Sequence, residues 1–130
     1  MKDFTNFDVG VFGEKECLKY IKKTKKFKVI GTNITIGHLE ADIVAYDNEH
    51  IIFIEVKTRR EDKCNFLRPG AAVNYKKRTN LIKFAYSFVK TLPQKLQNKA
   101  IRIDVCEITV VAEQKLKVCS FNYIENAVTR

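Results

Sequence analysis

Leu39-Glu40-Ala41-Asp42-Ile43-Val44-Ala45-Tyr46, followed after residues 47–50 by Ile51-Ile52-Phe53-Ile54-Glu55-Val56-Lys57, is the stretch that decides the fold. Leu39, Ala41, Ile43 and Ala45 alternate with Glu40, Asp42, Val44 and Tyr46, which is the two-residue period of a strand. Asp47-Asn48 supplies a turn. From Ile51 onward both parities are apolar, as in a strand covered on both faces, so Ile51 to Lys57 is predicted to lie at the centre of a sheet. The two segments together read as a hairpin.

Upstream, Ile30, Ile34 and Ile36 share one parity between Lys28 and Ile36, with Gly31 and Gly37 punctuating, and predict another strand. Before it, Glu14, Cys17, Leu18 and Ile21 recur at i, i+3, i+4 and i+7, which predicts a helix over 14–24. Downstream, Val73, Lys77, Leu81, Phe84, Ala85 and Phe88 mark a second helix over about 71–90, and Pro93 limits its extension. Ile101 to Ala112 and Lys117 to Phe121 read as two further strands. The order αβββαββ predicts an α/β fold, a mixed central sheet flanked by helices.

The chain has 130 residues, room for one core, and is predicted to form a single domain over 1–130. Leu, Ile, Val and Phe make up 41 of the 130, too many for a disordered chain. The longest apolar run is Ile51 to Ile54, and the N-terminus opens no signal-peptide-like stretch, so a soluble, cytoplasmic protein is expected. Against 15 Asp and Glu stand 24 Lys and Arg, a net charge of +9 that favours an anionic partner, nucleic acid ahead of membrane. Cys17, Cys64, Cys106 and Cys119 are too far apart for a thiol zinc cluster and read as reduced, mostly buried thiols. With only His38 and His50 besides, any metal is expected to be held by oxygen, and neither histidine is assigned a catalytic role. No phosphate-binding or dinucleotide-binding glycine motif is present.

Charged residues on apolar faces carry more information. Glu14 heads the apolar face of the first helix, and Lys77 sits between Val73 and Leu81 on that of the second. The plain alternatives are a first-turn charge for Glu14 and a snorkelling side chain for Lys77. Glu40 and Asp42 share one side of their strand, and Glu55 and Lys57 share one side of the next. Two carboxylates and an ammonium therefore converge, either as a structural ion pair or as a catalytic set. Phosphodiester hydrolysis needs such a set, because acids alone repel the anionic backbone and a hard divalent cation must reverse the local sign. In that reading Asp42 and Glu55 bind Mg2+, with Mn2+ as a substitute, the Val56 carbonyl completes the coordination, and Lys57 stabilises charge developing in the reaction.

The pattern Asp42, then Glu55-Val56-Lys57, resembles the PD-(D/E)XK nuclease signature. The surrounding residues widen the match: Gly10-x-x-Gly13-Glu14, Tyr20-Ile21, Asn33, Glu40-Ala41-Asp42-Ile43-Val44-Ala45, Phe53-Ile54-Glu55-Val56-Lys57-x-Arg59, Val73-x-x-x-Lys77 and Arg102-Ile103-Asp104-Val105. Over residues 10 to 105 this is similar to the YraN-like family of small bacterial proteins, itself similar to the archaeal Holliday junction resolvases. The resemblance implies a restriction-endonuclease-like fold, Mg2+-dependent DNA endonuclease chemistry on branched or damaged DNA, and a homodimer. It makes Asp42 and Glu55 metal ligands, Lys57 the catalytic lysine and Glu14 the helix acid. Leu39 stands where the family usually has glycine, and Cys17 takes a small-residue position.

Arg59, Arg60, Lys76, Lys77 and Arg78 are the expected nucleic-acid contacts, with Phe66 and Tyr75 as stacking candidates. The six lysines from Lys19 to Lys28 read either as a phosphate-binding surface or as a solvated helix end. Two rival readings remain. One is a catalytically inactive nucleic-acid-binding module of the same fold; the other is a module that docks on acidic lipid or protein and leaves the carboxylates unexplained.

Overall fold

The structure, a computed structural model, describes residues 3–61 and 75–127. Cys64, Phe66, Pro69, Val73, the first four residues of the expected second helix and the side chain of Tyr75 lie outside the described residues. The elements run α1 (Asn6–Tyr20), a π-helical turn (Ile21–Lys25), β1 (Lys28–Ile36), β2 (Leu39–Tyr46), β3 (His50–Arg60), α2 (Tyr75–Val89), α3 (Gln94–Gln97), β4 (Ala100–Ala112) and β5 (Leu116–Ile124).

The expected α/β order is present, with corrections at its edges. α1 begins at Asn6 and not at residue 14. Gly10 and Gly13 argue against a helix there, at about 1 kcal/mol each. A capping box overrides them: the Asp8 N–H donates to Thr5 Oγ1 at 3.0 Å, and the Thr5 N–H donates to Asp8 Oδ2 at 2.9 Å. At the other end the π turn closes on Lys26 in the left-handed conformation, φ 59°. α3 was not expected from the sequence; Pro93 caps it and Leu96 is its buried residue.

The five strands lie in the order β1-β2-β3-β4-β5, antiparallel except for the β3–β4 pair, which is parallel. β3 is central, as the apolar run predicts, and extends to Arg60 because its pairing with β4 continues through Arg60 and Val110. The connection through α2 and α3 covers one face of the sheet and α1 covers the other. On the α2 face Val44, Ile51, Phe53, Leu81, Phe84 and Val105 are buried together. The Phe53 ring meets Phe84 edge-on at 5.9 Å, and Phe84 stacks on Phe88 at 5.5 Å. On the α1 face Ile21, Ile43, Ile52, Ile54, Cys106 and Ile108 form the second half of the core. Among the described residues no helix is long and apolar enough to cross a membrane.

Candidate functional site

The β2–β3 ladder runs from Tyr46 opposite Ile51 to Ile43 opposite Ile54. One residue further, the Val56 N–H donates to the Asp42 side chain, 2.8 Å to Oδ2. A carboxylate has taken up a backbone donor at the place where the two strands part. Across β1, Asn33 adopts a left-handed conformation, φ 49°, which Asn tolerates better than most residues. Its Nδ2 donates to Glu14 Oε1 at 2.9 Å. Glu14 lies two turns into α1, so the first-turn reading of this charge is corrected. Gly13 brings it to the sheet: a Cβ there would stand 1.8 Å from Thr58 Oγ1, and only a glycine lets the helix backbone lie this close to β3.

Asp42 and Glu55 thus come together from two strands and share a hydrogen bond, and Glu14 on α1 lies near enough to Asp42 to feel its charge. Glu55 is 5% exposed, and Lys77 reaches it from α2 through an ion pair between Nζ and Oε1. Burial, then the neighbouring Asp42 charge, pushes the Glu55 carboxyl up to about 7, against the opposing effect of Lys77. The Asp42 carboxyl is also raised by burial, although the Val56 N–H and Lys77 work the other way, and it shares a hydrogen bond with Glu55. Glu14 is raised by burial and by the Asp42 and Glu40 charges, against the Asn33 amide. Burial disfavours the Lys77 ammonium, but its hydrogen bond to Glu55 and the nearby acids outweigh this and hold its pKa above the ordinary value. The carboxylates are closer to one another than free carboxylates would choose, and Lys77 is the cation in contact with them.

Lys57 and Arg59 follow Glu55 on the same parity of β3 and are half-buried. Arg60 does not join them. Its parity is that of Thr58, and its Nη1 donates to the Phe4 carbonyl at 3.3 Å on the α1 side. Lys76 and Arg78 are exposed on the first turn of α2. A cavity of about 270 Å³ opens beside Glu55 and Lys77, with His38, Glu40, Lys76 and Asn80 on its walls. From the sequence His38 is assigned no catalytic role and Asn80 is not singled out. Period-two and period-3.6 patterns register apolar faces, and a polar residue at a hairpin turn or on a helix flank leaves no mark in them. Of the lysine-rich stretch, Lys19 pairs with Glu16 at 2.7 Å and Lys25 with Glu125 at 2.8 Å, so part of it serves the fold.

A second ionic cluster lies on β4. Asp104 is fully buried and accepts from Arg102 Nε at 3.0 Å, Arg102 Nη2 at 2.9 Å, the Tyr123 hydroxyl at 2.6 Å and the Asn126 N–H at 2.8 Å. Arg102 also reaches Glu125 at 3.7 Å and lies over the Phe27 ring. Cys17 and Cys106, both buried and free, meet between α1 and β4, and the contact and burial raise the Cys17 thiol. Cys119 is exposed, the exception among the described cysteines to the expectation of mostly buried thiols. Among the described residues no three His, Cys, Asp or Glu side chains form a cage that could hold a metal by themselves.

The family model described as "Uncharacterised protein family UPF0102" matches residues 13–108, a span that contains all of these charged residues except Glu125. The chain is similar to a UPF0102 protein of Alkaliphilus oremlandii, 32% identical over 122 residues that cover 94% of this chain and 98% of that protein. A UPF0102 protein of Syntrophomonas wolfei is 34% identical over 122 residues, 94% of this chain and 98% of the relative. One of Clostridioides difficile is 33% identical over 122 residues, 94% and 97% respectively. The chain belongs to the UPF0102 family, the YraN-like family that the motifs from Gly10 to Val105 resemble.

Proposed function

We propose that this protein is a metal-dependent DNA endonuclease, cytoplasmic, acting on branched or damaged DNA as a homodimer. The observation that carries the reading is the contact of Asp42 with Glu55 at the gap between β2 and β3, with Glu14 close enough to feel Asp42, all three carboxyls raised and Lys77 against Glu55. Such crowding costs stability, and perturbed carboxyls gathered from separate elements are where chemistry is sought. The donor set fits Mg2+ or Mn2+: two adjacent carboxylates and a strand carbonyl leave positions for water and phosphate, as Mg2+ prefers, and no all-protein cage is needed. Bound between Asp42 and Glu55, with the Val56 carbonyl as a further oxygen, the ion would polarise the phosphate and acidify an attacking water.

The chain's own groups do the rest. Asp42 is held by the Val56 N–H and by its hydrogen bond with Glu55, so the direction of its carboxylate is fixed. Glu14, oriented by Asn33, adds negative charge behind the ligands and can hold a water. Lys57 offers an ammonium on the Glu55 side of β3 to the charge that grows on the phosphate. Arg59, Lys76, Lys77 and Arg78 supply phosphate contacts at the rim, whereas Arg60 would have to leave Phe4 to do so. Two chains related by a two-fold axis would present two such sites, one for each strand of a duplex.

Cleavage of duplex, single-stranded, flap and four-way-junction DNA in Mg2+ or Mn2+ tests the reading. Wild type should cut at least one substrate, while folded Asp42→Asn and Glu55→Gln should not cut and should bind DNA as well or better, having lost negative charge beside an anionic ligand. Binding without cleavage by the wild type in either metal would point to the inactive binding module instead.

A further inference from the structure

We propose that Lys77 is the resident cation of the metal-free site, that it stands on Glu55 where a divalent cation would bind, and that its release hands an ammonium to the substrate phosphate. The inference rests on the metal-dependent reading above and adds to it an order of assembly.

Glu55 is buried, and its Oε1 is occupied by the Lys77 ammonium. A divalent ion and an ammonium on the same carboxylate would lie in near contact with little water between the like charges, so each weakens the hold of the other. The two compete for Glu55. Lys77 is built to give way. Its side chain is 42% exposed and ends a flexible four-carbon stem, while the helix that carries it is fixed in the core by Leu81, Phe84 and Ala85. Rotamer changes alone can move the ammonium, with no shift of α2.

The place it would move to adjoins the site. The 270 Å³ cavity beside Glu55 is walled by Lys76, Lys77, His38 and Asn80, and a phosphate entering it would meet the freed ammonium together with these donors. Glu40 on the same wall, and Asp42 and Glu14 behind, would repel that phosphate while the site lacks a metal. Cation binding and phosphate binding are then linked, and linkage is reciprocal: whatever the cation does for DNA affinity, DNA does for cation affinity. In the metal-free protein Lys77 neutralises Glu55 and so reduces, without cancelling, the cost of the buried negative charge.

Mn2+ titration of the full chain, followed by electron paramagnetic resonance and calorimetry, with and without a short DNA duplex, reads this directly. Lys77→Met should bind Mn2+ about 10-fold more tightly than wild type in the absence of DNA, within the usual range of coupling between two sites. Lys76→Met removes the same charge one residue away and should stay within about 3-fold of wild type, as should Lys77→Arg, which keeps a cation on Glu55. In wild type, DNA should tighten Mn2+ binding, and Lys77→Met should lose most of that gain. Should Lys77→Met not fold by circular dichroism, Lys77→Gln takes its place. Mn2+ binding in wild type that is equal to or tighter than in Lys77→Met, or equal gains from Lys76→Met and Lys77→Met, overturns the inference and leaves the metal reading standing. Silence toward Mn2+ in every variant, with and without DNA, overturns both.

Discussion

Asp104 and Glu55 are buried carboxylates on neighbouring parallel strands, and they live under opposite conditions. Asp104 receives four hydrogen bonds, two of them from the Arg102 fork, and the adjoining Glu125 is held below its ordinary range by Lys25 and Arg102. Glu55 has Asp42 beside it and Lys77 against it, and its carboxyl is pushed up to about 7. One cluster answers every charge it buries and ties β4 to the segment after β5. The other gathers charge beyond what its partners neutralise, and so keeps affinity in reserve for something the fold does not contain. Burial and formal charge alone do not distinguish the two; the number and sign of the partners do.

The largest effect that would break this contrast concerns stability. Asp104→Asn leaves the Arg102 guanidinium, 12% exposed, without its bidentate partner and should cost about 3–5 kcal/mol by urea denaturation. A loss below about 1 kcal/mol would mean that the β4 cluster holds nothing together.

Next comes pH. The folded protein keeps the Glu55 proton up to about 7, whereas the unfolded chain releases it near the ordinary value of 4.5. Between those values the folded state binds more protons than the unfolded, so stability falls as pH rises across the window and levels off above it. The raised Asp42 and Glu14 carboxyls add to the same slope. Unfolding free energy from urea denaturation, recorded from pH 4.5 to 8, should decline by on the order of 1–3 kcal/mol, and Glu55→Gln should remove most of the decline. A wild-type profile that rises over that range would place Glu55 with the satisfied carboxylates.

The smallest effect sharpens the contrast inside the site. Glu14→Gln keeps the shape of the side chain and removes its charge, so cleavage should fall about 10-fold or more, roughly 1.4 kcal/mol, with the fold intact. Unchanged turnover on a substrate that the wild type cuts would reduce the working set to Asp42, Glu55 and Lys57.

Much of this was legible in the sequence because it depends on periodicity. β1 and β2 have the bounds their alternation predicts, β3 is central, and Glu14 and Lys77 turn inward as their helical spacing requires. The start of α1 was hidden because two glycines outweigh a capping box in any propensity reading, although Thr5-x-x-Asp8 was there to be read. Arg60 was grouped with Arg59 by adjacency, when adjacency in a strand means opposite faces. The β4 cluster was legible only in half. Arg102 and Asp104 share a face two residues apart within the motif Arg102-Ile103-Asp104-Val105, whereas Tyr123 on β5 and Asn126 beyond it come from the end of the chain, a partnership that no local pattern encodes.

Gly13 has a consequence for how this site tolerates change. Because the helix backbone at Gly13 rests directly on the Thr58 side chain of β3, the depth of Glu14 is set by one side chain that is present and one that is absent. Substitutions at Val9, Cys17 or Ile21 can reshape the packing under the helix while the seat at residue 13 stays put. Positions 13 and 58 then behave as one variable: a Cβ at residue 13 would stand 1.8 Å from Thr58 Oγ1 and 2.8 Å from Thr58 Cβ, so it needs the whole Thr58 side chain gone. A mutagenic library that samples residue 13 alone would record it as immovable, and only joint substitution with residue 58 would reveal that the spacing, and not the residue, is what the site requires.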